Sequence, residues 1–426
     1  MIQEFKVKNY LSFRNEQILS FEASSSNEFE THNCIEIKDD VRILKLGIIY
    51  GANASGKTNL LKALEFLRRF ILKQKRDKTE STGCIPFLFD EVNAKLPSEF
   101  ELTFFINRIK YIYSVKIDRK RVLEEKLIFY PSIQPAIFFE RYFDSQREKS
   151  IIKFGNKLNL NNSDKKIIEG LTISNSSVFS AFSKANVEKS FFNEVYDWFK
   201  EGFLQLIQPQ TDLLSWTSSR VESNVECKEF VLSILQKADF NISSIIIDEK
   251  DIPINKEIEN RISEMNMPDQ IKEEILQQKT LKAKNISFQH KTKETEKELP
   301  LDLESKGTLK YYGLAGILNR LISKNSILAI DEIENSLHND LVSHFIKTFL
   351  MNSSNSQLII STHDLNLLNE DFIRRDSVWF VEKDEYGSSD IYSLLDFKLH
   401  KNLSPYNAYK SGKLGAKPNL GEIILP

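Results

Sequence analysis

A glycine-rich segment from Gly51 to Thr58 constrains the fold of this chain more than any other feature. It reads Gly-Ala-Asn-Ala-Ser-Gly-Lys-Thr, which fits the pattern GxxxxGK followed by Ser or Thr at every fixed position. An apolar run from Leu44 to Tyr50 precedes it, and apolar residues follow it at helical spacing: Leu60, Leu61, Leu64, Leu67 and Ile71. The motif and its flanks predict a buried parallel strand, a phosphate-binding loop and an amphipathic helix.

The loop supplies the candidate phosphate-binding residues. Its glycines let backbone N–H groups approach phosphate oxygens without obstruction by a Cβ atom, and the helix N-terminus adds partial positive charge. We expect Lys57 to contact the β- and γ-phosphates and the Thr58 hydroxyl to bind Mg²⁺. The full predicted set is Gly51, Asn53, Ala54, Ser55, Gly56, Lys57, Thr58 and Asn59. The alternative, a chance glycine-rich turn, does not account for the matching strand and helix patterns.

Two adjacent carboxylates follow a second apolar run. Ile327 to Ile330 are apolar, and Asp331 and Glu332 come directly after them. In a parallel sheet, such a strand places the next side chains at its carboxyl edge, where ligands bind. We expect Asp331 to hold Mg²⁺ through water and Glu332 to act as a general base on the attacking water. The alternative is a strand that ends in surface acids, and the presence of the phosphate loop argues against it.

A third apolar run, Leu358 to Ile360, ends in the polar residues Ser361, Thr362, His363 and Asp364. A histidine after a strand is more often structural than functional. His363, however, follows the two acids by about thirty residues and one βα unit. This position leads us to predict that His363 contacts the γ-phosphate and senses its presence.

A short turn before another helical pattern is a candidate second anion site. It reads Glu304-Ser305-Lys306-Gly307-Thr308. Ser305 and Gly307 would bind an anion at the helix N-terminus, whereas a plain N-cap is an equally good interpretation of Ser305.

Periodicity suggests how the chain is divided. Alternation from Phe100 to Phe143 predicts an antiparallel meander, residues 24–40 look like a loop, and residues 163–240 look mostly helical. Residues 255–278 read as a charged helix. We predict a first lobe at 1–160 with the phosphate loop and the meander, a mainly helical insertion at 161–282, and a second lobe at 283–426; the resemblance described below implies that both are ATPase lobes.

Composition excludes several classes of protein. The 426 residues contain 58 Lys plus Arg against 60 Asp plus Glu, a formal charge of −2, which argues against a nucleic-acid coat protein but not against a local basic patch. The 41% hydrophobic content argues against bulk disorder. Three widely separated cysteines predict a reducing environment and no cysteine zinc site. With no signal-peptide pattern and no apolar window of ~18 residues, we expect a cytoplasmic protein without a membrane span.

The order of these motifs resembles that of ABC-type ATPases, with Walker A, signature, Walker B and switch histidine. Within these, the chain resembles the SMC/RecF-like AAA ATPases of bacterial anti-phage defence systems, such as the OLD-type ATPases and the ATPase subunits of PARIS and Septu. The resembling segments are Asn9–Phe13, GANASGKTNLLKAL, PFLFDE, ESKGT, DEIENSLH, STHD and residues 408–418. The resemblance covers nearly the whole chain and is weakest from about 185 to 285. It implies an α/β fold, an ABC-type P-loop ATPase head with an antiparallel β lobe and a helical insertion.

The resemblance also implies ATP and Mg²⁺ as cofactors and a head-to-tail homodimer or a higher homo-oligomer. The motif residues of one subunit would face Ser305 and Gly307 of the other across the nucleotide; these motif residues are Lys57, Thr58, Asp331, Glu332 and His363. Residues 334–337 would form the D-loop at that interface. The signature departs from the family pattern, because it reads Ser-Lys-Gly-Thr rather than Ser-Gly-Gly. No Q-loop glutamine can be assigned.

Three functions are compatible with a phosphate loop. The leading hypothesis is an ATP-hydrolysing dimeric switch or sensor in anti-phage defence that controls a separate effector. The effector would be another chain because the roughly 60 residues after His363 leave no room for the Toprim nuclease domain of OLD-type proteins. The alternative is a RecF/SMC-like DNA-binding ATPase in DNA maintenance. A P-loop kinase or GTPase is disfavoured, because no NKxD-like motif is present and the two acids plus the histidine do not suit a nucleotide kinase.

Basic residues cluster at the end of the predicted phosphate-loop helix: Arg68, Arg69, Lys73, Lys75, Arg76 and Lys78. They would either offset the helix C-terminal dipole or contact DNA or a partner, and the dipole interpretation is favoured. Cations on the meander turns could extend this patch, namely Arg108, Lys110, Arg119, Lys120 and Arg121.

Overall fold

The structure, a computed structural model, describes residues 1–38, 41–158, 160–187, 190–253, 280–400 and 403–417, with the single residues 256, 259 and 276. Contacts group the chain into two compact units. The first comprises Met1–Thr211, Arg320–Asn335 and Val342–Pro426, and the second comprises Asp212–Asn319 and Ser336–Leu341. The domain boundaries that we predicted at residues 160 and 282 stay predictions.

The strands are β1 (Ile2–Lys8), β2 (Gln17–Ser20), β3 (Cys34–Lys38), β4 (Val41–Leu44), β5 (Leu46–Tyr50), β6 (Ser98–Ile106), β7 (Ile109–Ile117), β8 (Val122–Tyr130), β9 (Ala136–Asp144), β10 (Lys149–Phe154), β11 (Ile242–Pro253), β12 (Thr280–Lys291), β13 (Glu296–Pro300), β14 (Ile327–Ile330), β15 (Gln357–Ser361), β16 (Val378–Lys383) and β17 (Ser389–Ser393). The α-helices of the described residues are α1 (Glu30–Asn33), α2 (Lys57–Leu72), α3 (Asn162–Leu171), α4 (Val178–Phe182), α5 (Ser190–Asp197), α6 (Leu213–Ser223), α7 (Val225–Lys237), α8 (Lys306–Ser323), α9 (Asn339–Asn352) and α10 (Pro405–Lys410). None of the helices in this described part combines the length and apolarity that crossing a bilayer requires.

A five-stranded sheet carries the predicted motifs of the first unit. Its strand order is β14-β15-β5-β16-β17, and every pair is parallel except β16 with β17. Strands β5, β14 and β15 are buried along their whole length, as continuous apolar runs in a parallel sheet should be. The strands predicted from the apolar runs near residues 44–50, 327–330 and 358–360 are therefore confirmed. The carboxyl ends of β5, β14 and β15 lie at one edge, so the residues after them are neighbours.

A seven-stranded antiparallel sheet forms the second layer of this unit, in the order β10-β9-β8-β7-β6-β1-β2. It confirms the meander predicted from Phe100 to Phe143. The buried side of helix α2, including Leu64 and Leu67, belongs to the same hydrophobic core as Phe5 and Phe100 of this sheet. The antiparallel sheet thereby anchors the helix that follows the phosphate loop.

The chain near residue 30 differs from the prediction of a loop at 24–40. Residues 30–33 form the short helix α1, and β3 pairs with β4 in a hairpin. Ile35 and Ile37 are buried there, and the Asn33 amide donates to the carbonyl oxygens of Phe29 and Phe372. The loop prediction was wrong here because the segment is mostly polar, and its few buried apolar residues did not form a recognisable pattern.

The second unit contains helices α6 to α8 and a three-stranded sheet in the order β11-β12-β13. Helices α6 and α8 pack closely where α8 has a glycine, since a Cβ on Gly313 would lie 2.7 Å from Leu213 Cβ. The Thr217 hydroxyl donates to the Gly313 carbonyl oxygen at 2.9 Å. The helical prediction for residues 163–240 holds for α3 to α7. The antiparallel pair of β11 and β12 lies beyond that range, and the sequence analysis did not predict it. The predicted charged helix at 255–278 lies almost entirely outside the described residues.

A buried ion pair ties the antiparallel sheet to the segment before α4. Arg141 Nη1 lies 3.2 Å from Glu125 Oε2, and neither side chain is exposed. The Tyr113 hydroxyl donates to Glu125, and the Arg141 guanidinium also donates to backbone carbonyls of residues 173–176. Burial raises the pKa of Glu125 and the Arg141 charge opposes that shift. Removing either partner would leave an uncompensated buried charge.

We expect Arg141→Met to lower the free energy of unfolding by about 3–5 kcal/mol, because Glu125 would stay buried without a counter-charge. Lys126→Met is the matched control, since it breaks the half-exposed pair with Glu140 and should cost less than about 1 kcal/mol. Urea unfolding followed by circular dichroism measures both. Equal losses in the two variants would contradict this assignment.

Candidate nucleotide-binding site

The phosphate loop occupies residues 51–56, between the end of β5 and the first residue of α2. Gly56 is the N-cap of α2 and has a φ of 120°, a value that L side chains rarely adopt. A Cβ at Gly56 would also lie 2.9 Å from Ser12 Oγ. Ala54 adopts a left-handed φ of 61°. The loop thus has the conformation that the sequence motif requires, with the helix N-terminus directly behind it.

Residues distant in sequence support the loop from behind. The Asn59 amide donates to Ser12 Oγ at 3.0 Å, and Ser389 N donates to the Ser12 carbonyl oxygen at 2.7 Å. The Ser389 hydroxyl donates to the carbonyl oxygen of Ser55. Ser12 belongs to the Asn9–Phe13 segment, so this part of the resemblance has a structural explanation. Asn59, a predicted nucleotide contact, uses its side chain here for support.

Lys57 lies at the centre of the site, and its side chain is nearly buried. Its ammonium group donates to the carbonyl oxygens of Gly51 at 2.9 Å and Ala52 at 3.1 Å, and lies 3.1 Å from His363 Nε2. Burial lowers the pKa of Lys57, while the carboxylates of Asp331 and Glu332 oppose that shift. The structure therefore brings Lys57, His363 and the two acids together, as the sequence predicted. Their roles stay predictions.

Asp331 joins the phosphate-loop helix to the strand ends. Its carboxylate is buried and accepts hydrogen bonds from the hydroxyls of Thr58, at 2.9 Å, and Ser361. Thr58 and Asp331 are the two residues that we predicted to bind Mg²⁺. Among the described residues no group of three His, Cys, Asp or Glu side chains could hold a metal ion. A cation here would take its other ligands from phosphate and water, which is the usual arrangement for Mg²⁺.

Glu332 occupies an unusual backbone conformation. Its φ is 48°, in the left-handed region, and its N–H donates to Ser361 Oγ at 2.9 Å. No side chain or backbone group of the described residues donates a hydrogen bond to its carboxylate. A non-glycine residue in this region costs about 1–3 kcal/mol, and such strain is common at functional sites. The geometry suits a carboxylate that is kept available for another group.

The segment after β15 is held by Glu334, a residue to which the sequence analysis gave only a D-loop role. One Glu334 oxygen accepts from the Thr362 hydroxyl at 2.8 Å, and the other accepts from His363 N at 2.6 Å. The sequence carried one signal for this role, a third carboxylate two residues after Glu332. The Ser-Thr-His run that contains its two partners lies much later in the chain. Burial and the nearby Lys57 charge lower the pKa of His363. The neutral imidazole can therefore accept from Lys57 through Nε2.

Ser305 and Gly307 belong to the second unit. The Ser305 hydroxyl accepts from Thr308 N at 3.0 Å and lies 2.9 Å from Thr308 Oγ1. Ser305 is therefore the N-cap of α8, the alternative that the sequence left open. A Cβ at Gly307 would lie 3.2 Å from the carbonyl oxygen of Ser336. The contact of these residues with a second subunit's nucleotide stays a prediction.

The parallel sheet, the phosphate loop at its edge and the antiparallel lobe define an α/β P-loop ATPase head of the ABC type, which confirms the predicted fold class. Residues 47–369 match the family described as "AAA domain, putative AbiEii toxin, Type IV TA system". This match covers well over half of the chain, so the protein belongs to that family. No curated protein matches the chain.

Solved SMC heads are similar in structure. The SMC head domain from Thermotoga maritima shares 14% identity at a TM-score of 0.42, covering 92% of this chain and 98% of that chain. An SmcHead bound to the C-winged helix domain of ScpA shares 13% sequence identity at a TM-score of 0.46. The match covers 96% of this chain and 99% of that chain. An Smc head domain with an extended coiled coil, bound to the C-terminal domain of ScpA and derived from Pyrococcus furiosus, shares 12% sequence identity at a TM-score of 0.41. The match covers 98% of this chain and 99% of that chain.

We expect Glu334→Ala to lower kcat for ATP hydrolysis by about 10-fold or more, because two hydrogen bonds to a charged acceptor hold His363 in place. KM for ATP should change by less than about twofold, since Lys57 and Thr58 are untouched. Steady-state kinetics separate the two parameters. Thr362→Val removes only one of the bonds and should have a smaller effect in the same direction. A raised KM with unchanged kcat in both variants would contradict a positioning role.

Proposed function

We propose that this protein binds ATP with Mg²⁺, hydrolyses it to ADP and phosphate, and works as a dimeric switch that controls a separate effector in anti-phage defence. One observation carries the ATPase part: the Thr58 hydroxyl meets the Asp331 carboxylate beside the Lys57 ammonium. Two separate sequence motifs contribute these groups, and Glu332, whose carboxylate accepts no hydrogen bond from the described residues, comes next in the chain. A strand that merely ended in surface acids would not require these groups to lie together.

The residues present fit the nucleotide and its metal ion. The loop is shaped by Gly51 and Gly56, where any Cβ would collide with the surrounding serines, so its backbone stays open to phosphate. Lys57 has carbonyl and imidazole partners that phosphate oxygens can replace. Thr58 and Asp331 offer the oxygen ligands that Mg²⁺ prefers. When bound, Mg²⁺ would neutralise phosphate charge and orient the terminal phosphoryl group.

The chain's own groups then have distinct tasks. Lys57 holds the terminal phosphates, and Glu332 accepts the proton of the attacking water at its free carboxylate. His363, held by Glu334, donates a hydrogen bond from its ring N–H to an oxygen of the terminal phosphate. His363 Nε2 also contacts Lys57, so phosphate that binds Lys57 would replace this contact and directly change the interactions of the segment after β15.

The dimer and the defence role rest on family membership and on the resemblance. The family description refers to an AbiEii toxin and to a type IV TA system, which supports a role in which a toxic activity is under control. A helix N-terminus at Ser305 and Gly307 suits an anion supplied by a second copy. The alternative, a RecF/SMC-like ATPase of DNA maintenance, would make hydrolysis depend on DNA.

We expect Lys57→Ala to abolish ATP hydrolysis, because the loop would lose its one ammonium group. Lys62→Ala is the matched control, since Lys62 lies exposed on the same helix. Phosphate release measures both variants. Wild-type turnover in Lys57→Ala would exclude the assigned site.

We expect Glu332→Gln to reduce hydrolysis by about 100-fold or more while ATP binding persists, since only the proton acceptor is removed. The variant should accumulate as a dimer with ATP and Mg²⁺, seen by light scattering after gel filtration. Glu385→Gln, an exposed acid elsewhere, serves as control. A variant that binds ATP, does not hydrolyse it and stays monomeric would remove support for the dimeric switch but not for the ATPase.

A further inference from the structure

Two basic segments that are distant in sequence lie side by side in the first unit. One is the end of α2 with the loop after it, and the other is the turn between β7 and β8. Thr82 N donates to the Arg119 carbonyl oxygen at 3.0 Å, and Thr82 Oγ1 donates to that of Asp118 at 2.6 Å. Ser81 Oγ adds a third bond to the Arg119 carbonyl at 3.1 Å. We call the resulting surface the basic edge; its cations are Arg69, Lys73, Lys75, Arg76, Lys78, Arg119, Lys120 and Arg121.

The helix dipole does not explain most of these charges. Helix α2 ends at Leu72, and a dipole acts on charges within the last turn. Only Arg69 and Lys73 lie there. Arg68 is not part of the surface, because it donates to the Phe203 carbonyl oxygen and pairs with Glu65. The other six cations of the basic edge lie beyond the helix or on the β7–β8 turn.

The cations of the basic edge are also not neutralised locally. None of them forms an ion pair with a carboxylate of the described residues. The acids of the two segments cap turns: Asp77 accepts from Thr79 N, Glu80 from Arg76 N, and Asp118 from Lys120 N. Eight cations and three acids give this surface a formal charge of +5, although the whole chain carries −2. Positive charge is therefore concentrated on the basic edge rather than distributed evenly over the chain.

The surroundings of these cations indicate which kind of partner fits. Within residues 69–83 and 118–121 no large hydrophobic side chain is exposed. Protein interfaces usually bury aromatic or aliphatic anchors, and membrane binding needs apolar side chains that enter the lipid. A nucleic-acid backbone needs only spaced cations. We propose that the basic edge binds the sugar–phosphate backbone of a nucleic acid without reading its bases.

A groove beside Lys73 extends this surface. It has a volume of about 600 Å³, and its lining includes Lys73, Lys184, Lys200 and the half-buried ring of Tyr196. Grooves that combine cations with an aromatic ring bind single strands, because backbone and bases are both accommodated. An unpaired strand therefore has a continuous path from the basic edge into the groove. This inference does not depend on the ATP site.

The test is fluorescence anisotropy with a labelled duplex and a labelled single strand of about 30 nucleotides, at about 50 and 200 mM salt. The variant Lys75→Glu/Arg76→Glu/Lys120→Glu reverses three charges whose side chains make no hydrogen bonds within the described residues. We expect it to weaken binding by about 10-fold or more and to reduce the salt dependence by roughly three phosphate contacts. The control Lys293→Glu/Lys297→Glu/Lys383→Glu changes the net charge equally, at exposed sites elsewhere, and should stay within about twofold.

Repeating the titrations in Lys57→Ala separates this surface from the ATP site, since the affinity should be unchanged there. Tighter binding of the single strand than of the duplex, lost in Lys184→Glu, would support the path through the groove. The proposal is overturned by absent binding at low salt or by equal weakening in the two triple variants. Binding to phosphatidylserine vesicles but not to either nucleic acid would overturn it as well.

Discussion

The buried carboxylate of Asp331 determines how the site is assembled. A carboxylate that is almost fully withdrawn from water needs hydrogen bonds to both oxygens, and here Thr58 and Ser361 supply them. Thr58 lies in the first turn of α2, and Ser361 ends β15, so one side chain joins the helix after the phosphate loop to two neighbouring strands. The parallel register of β14, β15 and β5 makes this possible, because their carboxyl ends meet at the same edge. Glu332 and His363 acquire their positions from this arrangement.

Support for the phosphate loop comes from segments that carry no chemistry themselves. Ser12 contacts Asn59 and crowds Gly56, while the Asn9 amide, three residues earlier, donates to carbonyl oxygens of residues 93, 96 and 97. Leu11 N donates to the carbonyl oxygen of Ile85. Phe87 N donates to Asn9 Oδ1 at 3.2 Å, so the Asn9–Phe13 and PFLFDE segments, noticed in the sequence only as parts of a resemblance, form one hydrogen-bonded support. It connects the loop to the antiparallel sheet.

Patterns that depend on neighbouring residues predicted the fold well, and patterns that depend on distant partners did not. Strands β5, β14 and β15 are continuous apolar runs, so burial could be read from the chain alone. Strands β11 and β12 are rich in charges and pair across more than twenty-five residues, so alternation was weak and the partner invisible. Ser305 fitted both an anion site and an N-cap; the contact with Thr308 shows the cap, and the anion site stays a prediction. Glu334 was missed because its importance lies in Thr362 and His363, far along the chain.

Charge balance explains why a site of this composition needs more than its own residues. Near Lys57 lie the carboxylates of Asp331, Glu332 and Glu334, and the lowered pKa of His363 leaves that ring neutral at pH 7. One ammonium among three acids cannot offset a triphosphate as well, since like charges at such distances repel strongly. A divalent cation held by Thr58 and Asp331, as we propose, would supply part of the missing charge. The N-terminus of α8 from a second copy would add partial positive charge at this place, and this is the electrostatic reason for proposing a site shared between two subunits.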